Sequence, residues 1–292
     1  MIHKVFKVLQ THGLRGLIDV GLRAVFRMPR ASFRKCSPFF VGKGLEIGGP
    51  SSAFRRGGLF PVYAVASRVD NCNFGHLTIW EGEISDGATF FFDEQRLPGT
   101  QHVAEATNLC NLDTGTYDFV LASHVIEHTA NPLKALIEWI RVLKEGGILL
   151  MIIPHKEGTF DRWRPVSTLE HLLDDFNRNV GEDDLTHLDE ILSLHDLSMD
   201  PGAGGEQVFK NRSLKNFENR ALHHHVFDTR LAIDVVNWTG LQIVAVDAFR
   251  PFHILVVAQK LGHGCTVDNA KFLSADISAV VSSPFSADRL VA

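Results

Sequence analysis

The chain has 292 residues, of which 45% are hydrophobic and 22% are charged, and its net charge is −5 at pH 7. This composition predicts a sizeable buried core and excludes a chain that is disordered throughout. With 24 glycines and 11 prolines, usage of both residues is average, which excludes collagen-like and low-complexity sequences.

The N-terminal segment is strongly basic. Residues 1–35 contain eight lysines or arginines and one acid, and their apolar residues recur at roughly helical spacing. Two interpretations remain open: a basic amphipathic segment resting on an anionic membrane surface, or a helical extension packed on the main domain. The rest of the chain is acidic, with ten acids and one base in residues 170–200, which argues against nucleic acid as a partner.

Strands and helices are predicted to alternate from about residue 41 onward. The predicted strands are residues 43–47, 61–66 (ending near Asp70), 117–122 and 148–153, the last two being apolar runs typical of buried strands. A helix is predicted over residues 131–144, because Asn131 suits the N-cap position and Pro132 the first helical position. This strand–helix–strand order predicts a parallel sheet.

The composition changes after Pro154. The next segment is rich in histidine, aspartate, asparagine and arginine, with a helical stretch at 183–197. Strands at 241–246 and 254–259 predict an antiparallel hairpin that closes the sheet. The predicted organisation is an N-terminal extension (1–40), a core (41–154), an inserted cap (155–235), the closing strands (236–261) and a loosely packed Ser/Ala-rich tail (262–292).

The four cysteines are far apart and have no C-x-x-C spacing, which argues against a zinc finger and a disulfide framework. No apolar run approaches the roughly 20 residues needed to cross a bilayer, and residues 1–35 lack the pattern of a secretory signal. We therefore expect a soluble cytoplasmic protein, with peripheral contact at the inner membrane surface through residues 1–35 as an open alternative. The oligomeric state is not indicated.

A glycine turn after the first predicted strand is the main functional feature. Gly48 and Gly49 would allow close backbone approach to a ligand at the carboxyl edge of a parallel sheet, where such sheets bind cofactors. Asp70 lies 22 residues after Gly48, about where an acid at the end of a second strand holds ribose hydroxyls. Pro50 breaks the G-x-G-x-x-G pattern, and the loop lacks the lysine of a nucleoside triphosphatase.

Three sequence blocks occur in order along the chain: LEIGGP at 45–50, YDFVLASHVIEH at 117–128 and RVLKEGG at 141–147. Together they resemble the class I S-adenosylmethionine-dependent methyltransferases. The resemblance covers about residues 41–154, and about 260 with the closing hairpin. It implies an α/β fold with a doubly wound, mostly parallel, seven-stranded Rossmann-like sheet, and S-adenosyl-L-methionine as cofactor. The segment PHKEGTFD at 154–161, with Arg164-Pro165 after it, is similar to a bacterial subgroup associated with sugar or surface-polysaccharide biosynthesis.

The resemblance also implies the cofactor contacts. At the methionyl end it implies Glu46, Gly48 and Gly49, with Pro50 in place of the family's next glycine. It implies Asp70 at the ribose, and Glu105 and Ala106 at the adenine, where the family commonly has Asp-Ala. Ser123 and His124 are implied on the methyl-donor side.

Histidines are the candidates for a general base, since imidazole titrates near neutral pH. His128, His155 and His224 are the candidate catalytic residues, the first two because they follow predicted strands closely. Candidate substrate contacts in the cap are Asp161, Arg164 and His171, with an internal salt bridge as the alternative interpretation of Arg164.

The triplet His223-His224-His225, with His195 and Asp196, has residue types that suit a metal. Adjacent residues of an extended segment point alternately, so at most His223 and His225 would share a face, and no metal ligand is assigned. The sequence predicts methyl transfer, most simply to oxygen, on a small molecule or glycan intermediate. Two alternatives remain: an inactive cofactor-binding or scaffolding protein of the same fold, and a metal-dependent hydrolase using the histidine-rich insert.

Overall fold

The computed structural model describes residues 30–274 and 276–289. Its strands are β1 (Lys43–Ile47), β2 (Arg68–Asn73), β3 (Leu77–Thr78), β4 (Gly82–Glu83), β5 (Gly87–Phe90), β6 (Gly99–Val103), β7 (Tyr117–Ser123), β8 (Leu143–Pro154), β9 (Gln242–Phe249) and β10 (His253–Gln259). Its α-helices are α1 (Ala31–Cys36), α2 (Pro132–Val142), α3 (Leu169–Asn177), α4 (Leu188–Leu194), α5 (Glu206–Leu214), α6 (Asn216–Asn219), α7 (Thr229–Trp238) and α8 (Ala270–Leu273).

Eight strands form one sheet in the order β5-β6-β2-β1-β7-β8-β10-β9. The five strands from β6 to β8 run parallel, and β10 pairs antiparallel with both β8 and β9. The predicted doubly wound, mostly parallel α/β fold and its closing hairpin are therefore confirmed. The sheet has one strand more than the seven predicted, because β5 adds to its edge antiparallel to β6. Three of the four residues of β5 are exposed, so it carries little hydrophobic signal.

Side chains of the central strands alternate between two apolar layers, as the two-residue period of a strand requires. In β7, Val120 and Ala122 face the core that contains α2 and α7. Phe119 and Leu121 face a second, aromatic-rich core on the other side of the sheet. Both faces of the sheet are thus covered, which explains the near-continuous apolar sequence of β7 and β8.

The predicted capping of α2 is confirmed in detail. The Asn131 side chain accepts a hydrogen bond from the Lys134 backbone N–H at 3.1 Å, and Pro132 occupies the first turn. The helix ends at Val142, two residues before the predicted end, because β8 begins directly at Leu143. Gly146 and Gly147, which follow the predicted helix in the sequence, lie inside β8.

The strand predicted at 61–66 is wrong. Residues Val62–Ala64 form a 3-10 turn, and the second strand is Arg68–Asn73. Val62 and Tyr63 are fully buried in the aromatic-rich core, so their apolar character reflects packing rather than strand structure. The true strand is polar because its side chains find partners within the sheet; the Asp70 carboxylate, for example, lies 2.9 Å from Lys43 Nζ.

Residues between β8 and α7 form the cap. Helices α3 to α6 lie here, and part of the segment has a small core of its own, made by Ile191, Ala203, Phe209 and Leu222. The single helix predicted at 183–197 is shorter, Leu188–Leu194. The cap therefore has more helices than its sequence pattern indicated, while the domain boundaries stay a prediction.

The C-terminal segment packs closely, contrary to the expected loose tail. Phe285 is fully buried and stacks on the His155 ring, with 3.9 Å between ring centroids. The Asp288 carboxylate accepts hydrogen bonds from the Thr229 hydroxyl at 2.6 Å and from its backbone N–H at 3.2 Å. Phe285 and Asp288 therefore help to hold this segment in place, although its composition is rich in serine and alanine.

Only the end of the basic N-terminal segment lies within the described residues. Helix α1 packs through Phe33 and Cys36, and Arg30 Nε lies 2.7 Å from the Asp247 carboxylate on β9. This part of the segment agrees with the packed-extension interpretation, while residues 1–29, on which the membrane hypothesis mainly depends, lie outside the described part. Among the residues that the structure describes, no helix combines the length and apolar character needed to cross a membrane.

Candidate functional site

A cavity of about 260 Å³ opens at the carboxyl edge of the parallel strands. Its wall is formed by the residues that follow β1, β2, β6 and β7, together with two side chains from the cap. Its lining includes Gly48, Pro50, Ser51, Asn73, Phe74, Trp80, Glu105, Ala106, Ser123, His124, Val125, His128, Glu182 and Arg220. The carboxyl edge is where open α/β sheets bind ligands.

The loop after β1 is held from beneath by buried polar side chains. Gly48 adopts φ +73°, and a Cβ there would lie 2.9 Å from Val125 Cγ2. The backbone N–H of Gly49 donates to Asn71 Oδ1 at 2.9 Å. The Glu46 carboxylate accepts from the Ser51 N–H at 2.9 Å and from the Tyr63 hydroxyl, and burial raises the pKa of Glu46 to about 8.

These contacts divide the predicted loop residues into two groups. Gly48 and Pro50 line the cavity, as expected. Glu46 and Gly49 do not line it: they support the loop from behind, and a Cβ on Gly49 would meet the Glu46 carboxyl carbon at 2.3 Å. The expectation that Glu46 faces a ligand directly is therefore corrected, because its carboxylate is occupied by partners within the fold.

Asp70 does not line the cavity: it lies within β2, paired with Leu45 in the middle of β1. Its carboxylate is 2.9 Å from both Lys43 Nζ and Arg68 Nε and accepts from the Thr100 N–H at 2.8 Å. Burial opposes ionisation, but these partners outweigh it and lower the pKa of Asp70. The predicted ribose contact of Asp70 is thus wrong in position.

Strand β2 continues three residues beyond Asp70 and ends at Asn73, which lines the cavity. The Asn73 side-chain amide donates to the Gly49 carbonyl at 3.2 Å, so it also supports the glycine loop. Sequence reasoning missed Asn73 because the end of the strand was placed too early. The polar run from Asp70 to Asn73 was the available signal.

The cap contributes an arginine and a glutamate to the wall. Arg220 is paired with Glu105, and its Nε lies 3.9 Å from Glu182 Oε2. Its guanidinium carbon lies 5.2 Å from the centre of the Phe74 ring. Burial raises the pKa of Glu182 to about 7, although the charge of Arg220 opposes this effect. Glu105 and Ala106 line the cavity as predicted, whereas nothing in the local sequence indicated Arg220 or Glu182.

Ser123 and His124 also line the cavity as predicted. His124 adopts φ +55° and donates its backbone N–H to the Ile152 carbonyl at 2.8 Å. Its ring Nε2 lies 3.2 Å from His253 Nδ1. The turn after β7 is therefore joined to both β8 and β10.

His128 is the one predicted catalytic histidine that lines the cavity. Its Nδ1 lies 3.0 Å from the Leu222 carbonyl oxygen, which can only accept, so Nδ1 carries the proton and Nε2 has the free lone pair. Nε2 is 3.9 Å from Glu127 Oε1. Burial lowers the pKa of His128 to about 4, and the neighbouring His223 contributes in the same direction.

Glu127 is buried beside this histidine without hydrogen-bond partners. Its side chain is 1% exposed, and neither carboxylate oxygen has a partner among the described residues. His124 Nδ1 lies 3.6 Å from Oε1. Burial alone would raise the pKa of Glu127, but the surrounding histidines lower it. A carboxylate therefore lies next to the Nε2 lone pair of His128.

The other two predicted catalytic histidines lie away from the cavity. His155 is fully buried, with Nε2 3.3 Å from Asp288 Oδ1 and its ring against Phe285. His224 Nε2 contacts the Asn216 side-chain amide at 2.9 Å. Both rings are used in packing the cap and the C-terminal segment, so the expectation that they reach a reacting group is corrected.

The predicted substrate contacts also lie outside the cavity wall. Arg164 is 1% exposed and donates to Asp161 Oδ1 at 2.9 Å and to the His223 carbonyl at 2.8 Å. This is the internal salt bridge that the sequence left as an alternative. His171 lies on α3, where its Nε2 is 2.9 Å from His187 Nε2.

The metal-ligand set considered from the sequence does not assemble. His195 Nε2 lies 3.3 Å from Asp200 Oδ2, and Asp196 pairs with Arg162. Among the described residues, neither joins the histidine triplet in a group of possible metal ligands, so a hydrolase built on this set has no support.

Residues 73–151 match a family model described as a methyltransferase domain. The chain carries an S-adenosylmethionine-dependent methyltransferase domain. The matched residues include the ends of β2, β6 and β7 and the whole of α2, so they contribute much of the cavity wall. S-adenosyl-L-methionine is the cofactor of this methyltransferase.

Several solved structures have a similar fold. A SAM-dependent methyltransferase from Aquifex aeolicus is 13% identical, covers 79% of this chain and 90% of its own, and has a TM-score of 0.42. A putative S-adenosylmethionine-dependent methyltransferase from Listeria monocytogenes is 17% identical, with coverages of 79% and 97% and a TM-score of 0.44. A putative methyltransferase from Bacillus halodurans C-125 is 13% identical, with coverages of 80% and 98% and a TM-score of 0.44. No curated protein matches the sequence.

The cavity of the methyltransferase fits this cofactor in its chemistry. Gly48 exposes backbone at the strand edge, where a side chain would crowd Val125, and Asn73 and Ser51 place polar groups beside it. Glu105 and Ala106 could hold a purine, while Ser123 and His124 could lie beside the sulfonium. The residues at four strand ends therefore give this cavity both exposed backbone and polar side chains.

Proposed function

We propose that the enzyme transfers the methyl group of S-adenosyl-L-methionine to a hydroxyl group of a small molecule or glycan intermediate, with His128 as general base. The observation that carries the proposal is the hydrogen bond from His128 Nδ1 to the Leu222 carbonyl, 3.0 Å long. It leaves the Nε2 lone pair of a cavity-lining imidazole available to a substrate proton.

The order of strand ends supports one orientation of the cofactor. The Gly48 loop after β1 would hold the methionyl part, Asn73 after β2 the ribose, and Glu105 and Ala106 after β6 the adenine. Gly48 allows the close backbone approach that this position needs. In this orientation the turn after β7, which carries His128, would lie beside the methyl group.

The cofactor supplies an electrophilic methyl group when bound, so the protein's own residues have a limited task. They must align a hydroxyl behind the methyl group and exclude water, which can contribute about 7–11 kcal/mol. His128 Nε2 accepts the hydroxyl proton, and the resulting imidazolium lies 3.9 Å from the ionised Glu127. A base in this position contributes about 10²–10⁴-fold in rate.

Trp80 supports a sugar-like or aromatic acceptor. It lines the cavity, is 51% exposed and contacts the His128 ring edge-on with 5.3 Å between ring centroids. An exposed indole beside the base offers a flat apolar surface for the C–H face of a sugar or for an aromatic ring. The similarity of residues 154–161 to a subgroup associated with polysaccharide biosynthesis favours the sugar.

The test combines binding with turnover. Calorimetric titration with S-adenosylhomocysteine measures the cofactor site, and transfer of a labelled methyl group to nucleotide sugars, simple glycosides, phenols and amines measures acceptor class. We expect micromolar binding and transfer to a hydroxyl compound. Transfer to amines alone would contradict O-methylation, and absence of S-adenosylhomocysteine binding by the folded protein would favour an inactive scaffold.

The variant His128→Asn tests the base, because an asparagine amide can keep the hydrogen bond to Leu222 while the Nε2 lone pair is lost. The turnover number should fall about 10²–10⁴-fold, with S-adenosylhomocysteine affinity nearly unchanged. His263→Asn is the matched control, since His263 is exposed. Unchanged turnover in His128→Asn would exclude His128 as the base.

A further inference from the structure

Four side chains of the cap converge on one point away from the methyltransferase cavity. His171 and Asp175 lie one turn apart on α3, His187 precedes α4, and His225 is the last residue of the histidine triplet. One ligand atom from each, three imidazole nitrogens and one carboxylate oxygen, lies within 4.8 Å of all the others. Asp175 and His225 are buried, and the other two are partly buried.

The separations match the edges of a small coordination tetrahedron. His171 Nε2 is 2.9 Å from His187 Nε2 and 3.2 Å from Asp175 Oδ2, and His225 Nε2 is 3.7 Å from the same oxygen. A tetrahedral Zn²⁺ with bonds of about 2.0–2.1 Å would place its ligand atoms about 3.3–3.4 Å apart. Two of the three distances given above are shorter than this value, and the third is longer.

Hydrogen bonding alone leaves this cluster poorly satisfied. His171 Nε2 carries either one proton or one lone pair, yet it faces both a second imidazole nitrogen and a carboxylate oxygen. A single proton or lone pair on this atom can be directed at only one of the two neighbours, so the other contact has no well-directed hydrogen bond. A central cation is coordinated by all four atoms at once.

His225 also contacts the backbone of Ala130. Its Nε2 lies 3.3 Å from the Ala130 carbonyl oxygen, so the metal-free ring can donate there. Its Nδ1 is buried without a hydrogen-bond partner among the described residues. The ring is therefore weakly held by hydrogen bonds, and exchange of the Ala130 contact for a metal bond costs little.

We propose that His171, Asp175, His187 and His225 bind one structural Zn²⁺ ion. Imidazole and carboxylate are ordinary zinc ligands, and four protein ligands leave no open position for a reacting water. This site is thus distinct from a hydrolase centre and goes beyond the proposed methyl transfer. It joins α3, the loop before α4 and the segment before α7.

The zinc site has a structural consequence for the cavity. The loop that ends at His187 also carries Glu182, which lines the cavity and faces Arg220. Fixing His187 to α3 therefore limits how far this wall can move. We expect the zinc-free protein to keep its sheet but to lose order in the cap.

Elemental analysis of the full chain, purified after growth with zinc, tests the site directly. We expect about one Zn²⁺ per chain, and we expect chelation to lower Tm by roughly 5–10 °C and zinc addition to restore it. Co²⁺ substitution should give the visible bands of tetrahedral coordination, and X-ray absorption should show four N/O ligands at about 2.0–2.1 Å. A protein that is purified without metal and neither binds added Zn²⁺ nor changes its Tm would overturn the proposal.

Ligand variants locate the metal. Asp175→Asn and His187→Ala should each lower the zinc content at least tenfold, whereas His263→Ala, an exposed histidine, should keep it. Full zinc retention in both ligand variants would assign the metal elsewhere. If the variants do not fold, the wild-type titration and absorption data decide. Metal content is measured without cofactor or acceptor, so its outcome is independent of the methyl-transfer assay.

Discussion

His128 and Leu222 form a hydrogen bond across 94 residues of sequence, with 3.0 Å between the imidazole Nδ1 and the carbonyl oxygen. This contact joins the turn after β7 to the cap and fixes the tautomer of the histidine. The ring of the proposed base is therefore oriented by the cap. In the proposed reaction, Leu222 is a positioning residue that does not contact the reacting atoms.

Gly48→Ala should weaken S-adenosylhomocysteine binding at least tenfold. The residue has φ +73°, and its new Cβ would lie 2.9 Å from Val125 Cγ2, so the loop must shift at the edge of the cavity. Gly264→Ala is the matched control, because Gly264 has φ +83° but no neighbour within 4 Å. Calorimetry on both variants checks this prediction, and equal loss of affinity would mean that backbone strain alone is responsible.

Asp70→Asn should destabilise the fold without changing cofactor affinity. The change leaves the Lys43 and Arg68 cations at this site without their carboxylate, which costs about 1–3 kcal/mol of unfolding free energy. The pKa of Asp70 is lowered in the folded state. Its stabilisation is therefore present above the unfolded pKa of about 3.9 and is lost as the pH falls through the folded value.

Urea unfolding at pH 7 and at pH 3 checks this prediction, together with titration of S-adenosylhomocysteine. The difference in unfolding free energy between wild type and Asp70→Asn should shrink at the lower pH. A variant with normal stability and weakened binding would restore Asp70 to the cofactor site and would show that the carboxylate moves on binding.

Glu182→Gln should remove part of the pH dependence of stability. Burial raises the pKa of Glu182 to about 7, so ionisation is unfavourable in the folded state. The stability contributed by the neutral form is present below the unfolded pKa of about 4.3 and is lost as the pH rises through about 7. From pH 5 to 8, wild type should lose about 1–3 kcal/mol more than the variant.

Chemical unfolding across this pH range provides the measurement, and Glu83→Gln, at an exposed position of β4, is the control. Parallel pH curves for wild type and Glu182→Gln would show that Arg220 keeps the carboxylate ionised throughout. In that case the arginine charge would outweigh the burial of Glu182.

His155→Gln should lower stability and leave turnover nearly unchanged. The ring is fully buried between Phe285 and Asp288 and does not line the cavity. Phe285→Ala should cost about 3–5 kcal/mol, because it removes the packed ring opposite His155. Phe91→Ala, at a position that is 73% exposed, is the control.

Thermal unfolding of His155→Gln, Phe285→Ala and Phe91→Ala checks the predicted stabilities. Methyl-transfer rates are compared at a temperature where all three variants are folded. A large loss of turnover in folded His155→Gln, with normal acceptor affinity, would make His155 a second candidate base and would require the C-terminal segment to open during the reaction.

The sequence alone was sufficient for β1, β7, β8, the glycine loop and α2. Their signals are local: an apolar run, a glycine at a strand end, and an asparagine–proline pair at a helix start. Ser123, His124 and His128 line the cavity because they lie at the end of β7 or within five residues after it. Short-range sterics and burial determine such features, so a single sequence contains them.

Only the tertiary structure decided which distant side chains meet. Arg220 reaches Glu105 across 115 residues, and His225 joins His171 and His187 through packing of the cap. Asp70 and Asn73 differ by three positions, yet Asn73, at the end of β2, lines the cavity, whereas the Asp70 carboxylate is held by Lys43 and Arg68. Such contacts depend on how strands and helices pack, and packing energies are summed over the whole chain rather than encoded in a short segment.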